Sequence, residues 1–179
     1  MPCMAAAGMD PAIAPIYLLV ISDRASRGQR EDKCRQAIEA FLSAGKKSLA
    51  SFKIVPDEIP QIQAALMEWS SHGRPSLLLT AGGTGLSPRD VTPEATRPLL
   101  EREIPGIPEA MRAASMKITP YAALSRGHAG FIKNALVVNL PGSPKAAVEN
   151  LAAVFPALEH ALAKAMGDMS DCRPIPTES

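Results

Sequence analysis

Residues 80–96, which read TAGGTGLSPRDVTPEAT, combine backbone and side chains that suit a polyphosphate. The segment opens with a glycine-rich loop made of Gly82, Gly83, Thr84 and Gly85. A glycine has no Cβ, so backbone N–H groups beside it can approach an anion closely. Arg89 supplies a cation for phosphate, and Asp90 supplies a carboxylate that can hold Mg²⁺. The pattern predicts a binding site for a phosphorylated ligand.

Two common glycine motifs do not match this loop. A P-loop places a lysine and then a serine or threonine after its glycines, and no lysine stands at that position. A dinucleotide-binding turn follows GxGxxG, but its third glycine is Pro88 in this chain. A tight turn that uses glycine for steric reasons alone is the remaining alternative, and the neighbouring Arg89 and Asp90 favour a functional site.

A second carboxylate, Asp57, follows the short apolar run 52–55 much as Asp90 follows the run 76–79. Aspartates at such places usually form turns or cap helices, and that explanation of Asp57 stays open from spacing alone. Together, at the ends of two strands, the two acids can hold one Mg²⁺ whose other positions are filled by water and phosphate oxygens.

Strands alternate with helices along the chain. Apolar runs predict strands at residues 16–21, 52–55, 76–80 and 135–140. Apolar residues at helical spacing predict helices at about residues 32–44, 59–73 and 107–116, and from 144 onward. Ser87-Pro88 and Thr92-Pro93 both fit a helix start, and the choice between them stays open. Pro156 is expected to kink or restart the last helix.

Such an order predicts an α/β fold with a mainly parallel sheet covered by helices on both faces. In these sheets ligands bind at the carboxyl ends of the strands. Four segments with suitable chemistry fall there: Ser22 with Asp23, then Asp57, the loop 82–90, and the turn Pro141, Gly142 and Ser143. Ser143 also precedes a helix whose exposed N–H groups suit an anion, although a plain helix cap explains it equally well. We therefore expect one active site at this edge.

Composition excludes several classes of partner. The 19 basic and 18 acidic residues nearly cancel, which argues against a nucleic-acid or anionic-membrane surface. No apolar run approaches the roughly 20 residues that span a bilayer. The cysteines Cys3, Cys34 and Cys172 form no CxxC pair, which is typical of a reduced cytoplasmic protein. We expect Cys34 to be an ordinary thiol on a helix.

One domain is predicted over residues 15–167. Residues 1–14 lack the basic start and apolar core of a secretory signal and are predicted to be a flexible leader. Residues 168–179, which include Pro174 and Pro176 among polar neighbours, are predicted to be a flexible tail.

Six dispersed segments together resemble the molybdopterin-binding family, which includes bacterial MogA-type adenylyltransferases and domains of plant Cnx and animal gephyrin proteins. The similar segments are residues 22–26, 55–57, 82–96, 104–106, 124–126 and 139–144. The resemblance extends from about residue 16 to about residue 165 and leaves only the two ends of the chain outside.

This resemblance implies a three-layer α/β/α domain, a homotrimer, and molybdopterin adenylyltransferase activity with Mg²⁺. The terminal phosphate of molybdopterin would attack the α-phosphorus of ATP, giving adenylylated molybdopterin and pyrophosphate. A molybdate-insertion enzyme would use the product. The family's two important acidic positions match Asp57 and Asp90, for which a role in Mg²⁺ and nucleotide handling is implied.

The other predicted contacts to substrate or nucleotide share loops at the strand ends. They are Ser22, Asp23, Gly82, Gly83, Thr84, Gly85, Arg89, Ser125, Arg126, Pro141, Gly142 and Ser143. The glycine loop is assigned to phosphate, and Ser125, Arg126 and the turn after Pro141 to the pterin side.

The chain departs from the family pattern at two places. Family members often have an aromatic residue after Gly28 and then Asp-Lys-Gly, whereas this chain lacks the aromatic residue and has Cys34 in place of the glycine. Ile107 stands where phenylalanine is frequent. Neither change affects the two acids. The alternative function is a non-catalytic relative that binds molybdopterin or scaffolds a partner.

Overall fold

Three central strands are buried along their whole length and are mostly apolar, as is typical of strands covered on both faces. The computed structural model describes residues 14–168. Every position of β1 (Ile16–Ile21), β3 (Ser76–Ala81) and β6 (Ala135–Leu140) is buried. The predicted bounds of β1 and β6 are confirmed.

Six strands form one sheet in the order β2-β1-β3-β6-β5-β4. The remaining strands are β2 (Leu49–Val55), β4 (Arg102–Glu103) and β5 (Ala129–Ile132). β2, β1, β3 and β6 run parallel, whereas β5 and β4 continue the sheet antiparallel. The chain goes from β1 to β2, toward one edge of the sheet, and from β3 toward β6 and the opposite edge. The carboxyl ends of β1 and β3 therefore flank a topological switch point, where ligands bind in open α/β sheets.

Helices cover both faces of this sheet. One face carries α2 (Lys33–Ala44), α5 (Gly106–Met116) and α6 (Pro144–Ala165). The other carries α3 (Ile59–Ser70) and α4 (Thr92–Thr96). Short helical segments also occur at α1 (Asp23–Ser26) and, as 3₁₀ turns, at Arg97–Leu99 and Pro120–Leu124.

Alternate residues along each strand pack into two separate hydrophobic cores, because successive side chains point to opposite faces of the sheet. On β1, Leu18 and Val20 pack with α2, α5 and α6, whereas Leu19 and Ile21 pack with α3 and α4. The predicted three-layer α/β/α architecture is confirmed. No helix within residues 14–168 combines the length and apolarity needed to cross a membrane.

Several predicted bounds need correction. β2 begins at Leu49 rather than at residue 52. Of the two proposed helix starts, the one at Thr92 is observed, whereas Asp90 accepts the Ser87 N–H at 2.8 Å and closes a turn. α6 continues through Pro156 rather than restarting there. The antiparallel strands β4 and β5 were not expected. The predicted leader and tail fall almost entirely on residues 1–13 and 169–179, outside the described residues.

A buried asparagine joins the elements behind the site. The Asn139 side chain, on β6, donates to the Thr80 hydroxyl of β3 at 3.0 Å and to the Thr96 hydroxyl of α4 at 3.1 Å. Its Oδ1 accepts the backbone N–H of His128 at 3.0 Å. Only 1% of the Asn139 surface is exposed. A single amide group therefore satisfies two buried hydroxyls and one partly buried backbone N–H.

We expect Asn139→Ala to lower the free energy of unfolding by about 3 kcal/mol, because it leaves several buried polar groups without partners. Urea unfolding measures this change. Asn134→Ala, at an exposed position between β5 and β6, is the matched control and should change little. Equal losses in the two variants would refute the structural role of the Asn139 amide.

Candidate active site

Two cavities open at the carboxyl edge of the sheet and meet there. The strand-end cavity, of about 320 Å³, lies against the ends of β1 and β3, Asp57, and the beginning of α2. The helix cavity, of about 410 Å³, lies between the glycine loop, α5, the 3₁₀ turn Pro120–Leu124 and α6. Three residues line both cavities: Gly83, Asp90 and Gly142. A group bound in one cavity can therefore meet a group bound in the other.

Asp23 and Asp57 fix each other at the ends of β1 and β2. The backbone N–H of Asp23 donates to Asp57 Oδ2 at 2.8 Å, and the backbone N–H of Asp57 donates to Asp23 Oδ1 at 3.3 Å. Arg89 covers Asp23 with two hydrogen bonds, from Nε to Oδ2 at 3.1 Å and from Nη2 to Oδ1 at 3.0 Å. Its Nη1 binds Glu58 Oε1 at 2.9 Å. The Arg89 guanidinium is thus bound to two carboxylates, those of Asp23 and Glu58.

The neighbouring acids differ in their electrostatics. Hydrogen bonds from the Arg89 side chain hold the pKa of Asp23 below its ordinary value. Burial raises the pKa of Asp57, and the negative charges of Asp23 and Asp90 contribute to the increase. Arg89 therefore neutralises mainly the charge of Asp23, and the negative charge of Asp57 is only partly neutralised. Such a group favours a cation beside it.

The glycine loop lies so close to β1 that side chains are excluded from it. Gly82 has a φ of +116°, and a Cβ there would lie 2.2 Å from the carbonyl oxygen of Ile21. Gly83 has a φ of +64°, and a Cβ there would lie 2.3 Å from Thr92 Oγ1 and 3.2 Å from Asp57 Oδ1. The Thr92 hydroxyl donates to the Gly82 carbonyl at 2.8 Å. Glycine is needed here for the backbone to sit beside Asp57.

Arg126 holds the other side of this loop. Its Nε donates to the Gly85 carbonyl at 2.8 Å and its Nη2 to the Asp90 carbonyl at 2.6 Å. Its backbone N–H donates to the Thr84 carbonyl at 3.0 Å. Its guanidinium also pairs with the Glu94 carboxylate. The hydrogen bond from Arg126 to Glu94 keeps the pKa of Glu94 below its ordinary value. In this structure Arg126 shapes the loop, so its predicted contact to a pterin stays a prediction.

The turn after β6 is tied to α2 by a thiol. The Cys34 Sγ–H group donates to the Gly142 carbonyl at 3.1 Å. Burial raises the pKa of Cys34 to about 11, so the thiol keeps its proton at neutral pH and is a poor nucleophile. Ser143 is the N-cap residue of α6, but its hydroxyl makes no capping hydrogen bond. Cys34 thus replaces the expected glycine with a side chain that supports the turn.

The structure brings together most of the predicted site residues. Beside the shared residues, the strand-end cavity is lined by Ser22, Asp23, Asp57 and Gly82. The helix cavity is lined by Thr84, Gly85, Ser125 and Pro141. Three predicted residues line neither cavity: Arg89, Arg126 and Ser143.

Several lining residues escaped sequence analysis. In the strand-end cavity these include Arg30, Asp32 and Lys33. In the helix cavity they include Arg112, Ser115, Tyr121 and Asn150. The available signal was a polar residue on an apolar helix face: Ser115 lies on the buried side of α5, and Asn150 on that of α6.

The family can be decided by comparison with known proteins. A family model described as "Probable molybdopterin binding domain" matches residues 17–160. The chain belongs to the molybdopterin-binding family. The expected family resemblance is thus confirmed.

Relatives and solved structures agree with this membership. A molybdopterin adenylyltransferase of Helicobacter pylori is 41% identical over 86% of this chain and 88% of its own length. Gephyrin of Dictyostelium discoideum is 44% identical over 82% of this chain, which spans only 22% of gephyrin. The crystal structure of the molybdopterin biosynthesis enzyme MoaB from Thermus thermophilus is 48% identical, with a TM-score of 0.81 over 87% of this chain and 98% of that chain.

In this member of the molybdopterin-binding family, we expect Asp57→Asn to stabilise the fold at pH 7 by about 0.5 kcal/mol, since solvent screens a half-buried charge. The folded pKa of Asp57 is raised above the ordinary 3.8, so its charge costs stability above the folded pKa. The gain should shrink as pH falls through that pKa and disappear below 3.8.

Urea unfolding across this pH range measures the difference. Glu101→Gln, at an exposed position, controls for loss of one negative charge and should show no such dependence. A variant less stable than the parent protein at pH 7 would contradict the electrostatic assignment.

Proposed function

We propose that this chain is a molybdopterin adenylyltransferase of molybdenum cofactor biosynthesis. The observation that carries the proposal is the meeting of two cavities at Gly83, Asp90 and Gly142, with Asp57 lining one of them. A transfer between two bound substrates needs this arrangement, because the reacting groups must come into contact. The relatives named molybdopterin adenylyltransferase support the same activity.

ATP occupies the strand-end cavity in this proposal. Three basic residues line it, Arg24, Arg30 and Lys33, and they suit a triphosphate. Five acidic residues line it as well, among them Asp57 and Asp90, which suit the accompanying Mg²⁺. Molybdopterin occupies the helix cavity, where Ile118 and Leu124 offer apolar contact to a flat ring. The terminal phosphate of molybdopterin and the α-phosphate of ATP then meet at Asp90.

Mg²⁺ enters as part of the Mg-ATP substrate, and the residues present fit it. Asp57 and Asp90 line the strand-end cavity together, and the negative charge of Asp90 contributes to the raised pKa of Asp57. Within residues 14–168, no group of three or more His, Cys, Asp or Glu side chains is placed to hold a metal ion alone. Mg²⁺ commonly uses one or two carboxylates together with substrate phosphates and water, so Asp57 and Asp90 suffice. When bound, the ion would neutralise charge on the phosphates.

In the transfer, an oxygen of the molybdopterin phosphate forms a bond to the α-phosphorus of ATP. The bond from that phosphorus to the bridging oxygen of the β-phosphate breaks, and the electron pair leaves with pyrophosphate. The Gly82 N–H already donates to the Leu140 carbonyl at 3.2 Å, whereas the backbone amides of residues 83–85 can stabilise the negative charge on the phosphates. Nucleotidyl transfer needs positioning and charge neutralisation more than a covalent nucleophile, so the protonated Cys34 needs no role in the chemistry.

The test is pyrophosphate release from Mg-ATP with and without molybdopterin. We expect release only when molybdopterin is present, and a fall of on the order of 100-fold or more in both Asp57→Ala and Asp90→Ala, because each removes a carboxylate that would hold the charge-neutralising Mg²⁺ beside the reacting phosphates. Glu101→Ala is the control for loss of an exposed acid and should keep full activity. Tight molybdopterin binding without release would favour the non-catalytic alternative.

We also infer a homotrimer in the cytoplasm that hands its product to a molybdate-insertion enzyme. Large exposed apolar residues, among them Leu86, Met116 and Tyr121, support burial against another chain. Light scattering on the purified protein should therefore give three times the mass of one chain. A monomer at micromolar concentration would refute the homotrimer.

A further inference from the structure

Two buried polar side chains from the apolar faces of α5 and α6 line the helix cavity. Ser115 lies on α5 and is 8% exposed, and Asn150 lies on α6 and is 6% exposed. Their neighbours on the same helix faces are apolar, including Met111 and Leu151. Burying polar groups among apolar ones is costly unless they find partners, which makes this pair unusual.

The hydrogen bonds fix the orientation of both groups. Asn150 Nδ2 donates to the Ala146 carbonyl at 2.7 Å and to Ser115 Oγ at 2.9 Å. A carbonyl can only accept, so the NH₂ group and not Oδ1 must face Ala146. Both amide hydrogens are then used, and the Ser115 hydroxyl acts as an acceptor toward Asn150.

One donor and one acceptor remain. Among the residues that the structure describes, Asn150 Oδ1 has no donor and the Ser115 hydroxyl hydrogen has no acceptor. The two unused functions belong to neighbouring atoms that line the same cavity. The cavity therefore presents an acceptor next to a donor. This pattern is complementary to a ring that carries a donor beside an acceptor.

We propose that Asn150 and Ser115 determine specificity for the pterin by binding its lactam edge. In a 2-amino-4-oxopterin the ring N3–H lies beside the O4 carbonyl. N3–H donates to Asn150 Oδ1, and O4 accepts from the Ser115 hydroxyl. This inference rests on the proposed function, in which the helix cavity receives molybdopterin, and it adds the residues that distinguish the ring from other flat heterocycles.

Adenine also carries a donor beside an acceptor, and the charge distribution argues against it here. Mg-ATP needs cations for its phosphates and carboxylates for its metal ion, and the strand-end cavity offers both: Arg24, Arg30 and Lys33 line it together with five acidic residues. Of the described residues lining the helix cavity, Arg112 is the one cation, and it already donates to the Ser125 carbonyl at 3.3 Å. The pterin is therefore the better occupant of the helix cavity.

The experiment measures KM for molybdopterin and for ATP in Asn150→Leu and Ser115→Ala, with direct binding of 6-carboxypterin followed by its fluorescence. Each variant removes one hydrogen bond to the ring, so we expect KM for molybdopterin and Kd for 6-carboxypterin to rise about five- to tenfold. KM for ATP and kcat should stay within about twofold, since the interaction contributes to binding alone.

Two further variants separate recognition from packing. Ser115→Thr keeps a hydroxyl donor and should restore pterin affinity lost in Ser115→Ala. Asn134→Leu makes the same substitution as Asn150→Leu at an exposed position and should change nothing. Thermal melting identifies any variant that fails to fold.

Unchanged pterin affinity in folded Asn150→Leu and Ser115→Ala would overturn the inference. So would a rise in KM for ATP instead of molybdopterin, which would place adenine in the helix cavity. Failure of the proposed function looks different: the unmodified protein would then release no pyrophosphate with molybdopterin. The binding of 6-carboxypterin would still show whether the pair recognises a pterin.

Discussion

The close approach of the 82–85 loop to β1 is the constraint on which the site depends. Any side chain at Gly82 would collide with the Ile21 carbonyl, and any at Gly83 would collide with Thr92. Because the backbone itself fills this place, Gly83 lies beside the Asp57 carboxylate, which follows β2. The contacts from Thr92 on one side and Arg126 on the other keep the loop there without help from a ligand. A preformed loop of this kind can bind phosphate without first losing conformational entropy.

Carboxylates also lie close together beside this loop, although the fold alone does not require their negative charge. Asp23 is compensated by Arg89, while Asp57 is half-buried and keeps a raised pKa. A carboxylate in that condition lowers the stability of the free protein and becomes favourable only when a cation arrives. Arg89 is already bound to Asp23 and Glu58, so it limits the repulsion among the acids and contributes to the site even without contacting phosphate.

The sequence predicted the centre of the fold better than its edge. β1 is a continuous apolar run and β6 is apolar except for Asn139, and their bounds follow from that pattern alone. β4 has only two residues, and its pairing with β5 depends on contacts between distant segments. No local sequence pattern therefore predicts this strand. The choice between Ser87 and Thr92 as helix start was undecidable locally, because both precede proline. It is settled by the Asp90 side chain, which closes a turn on the Ser87 N–H.

The site shows the same limit. Residue types and strand ends located Asp57, Asp90 and the glycine loop, because their chemistry is visible in the chain itself. The pairing of Arg89 with Asp23 was missed, since it joins residues 66 positions apart. Ser115 and Asn150 were missed because a single polar residue on an apolar helix face looks like an ordinary exception. It becomes informative only when tertiary structure places two such residues together at a cavity.

A triphosphate and a flat heterocycle make opposing demands on one pocket. The triphosphate needs cations, carboxylates for its metal ion, and access to water. The heterocycle needs dry apolar walls with few polar groups, and such walls would raise the cost of any nearby unpaired charge. Two cavities separate these environments, and Gly83, Asp90 and Gly142 form the boundary between them. Two of these three residues are glycines, so the boundary is thin backbone, and the Cys34 thiol fixes the Gly142 part of it. Bound substrates can thus react across the boundary while each remains in the environment that suits it.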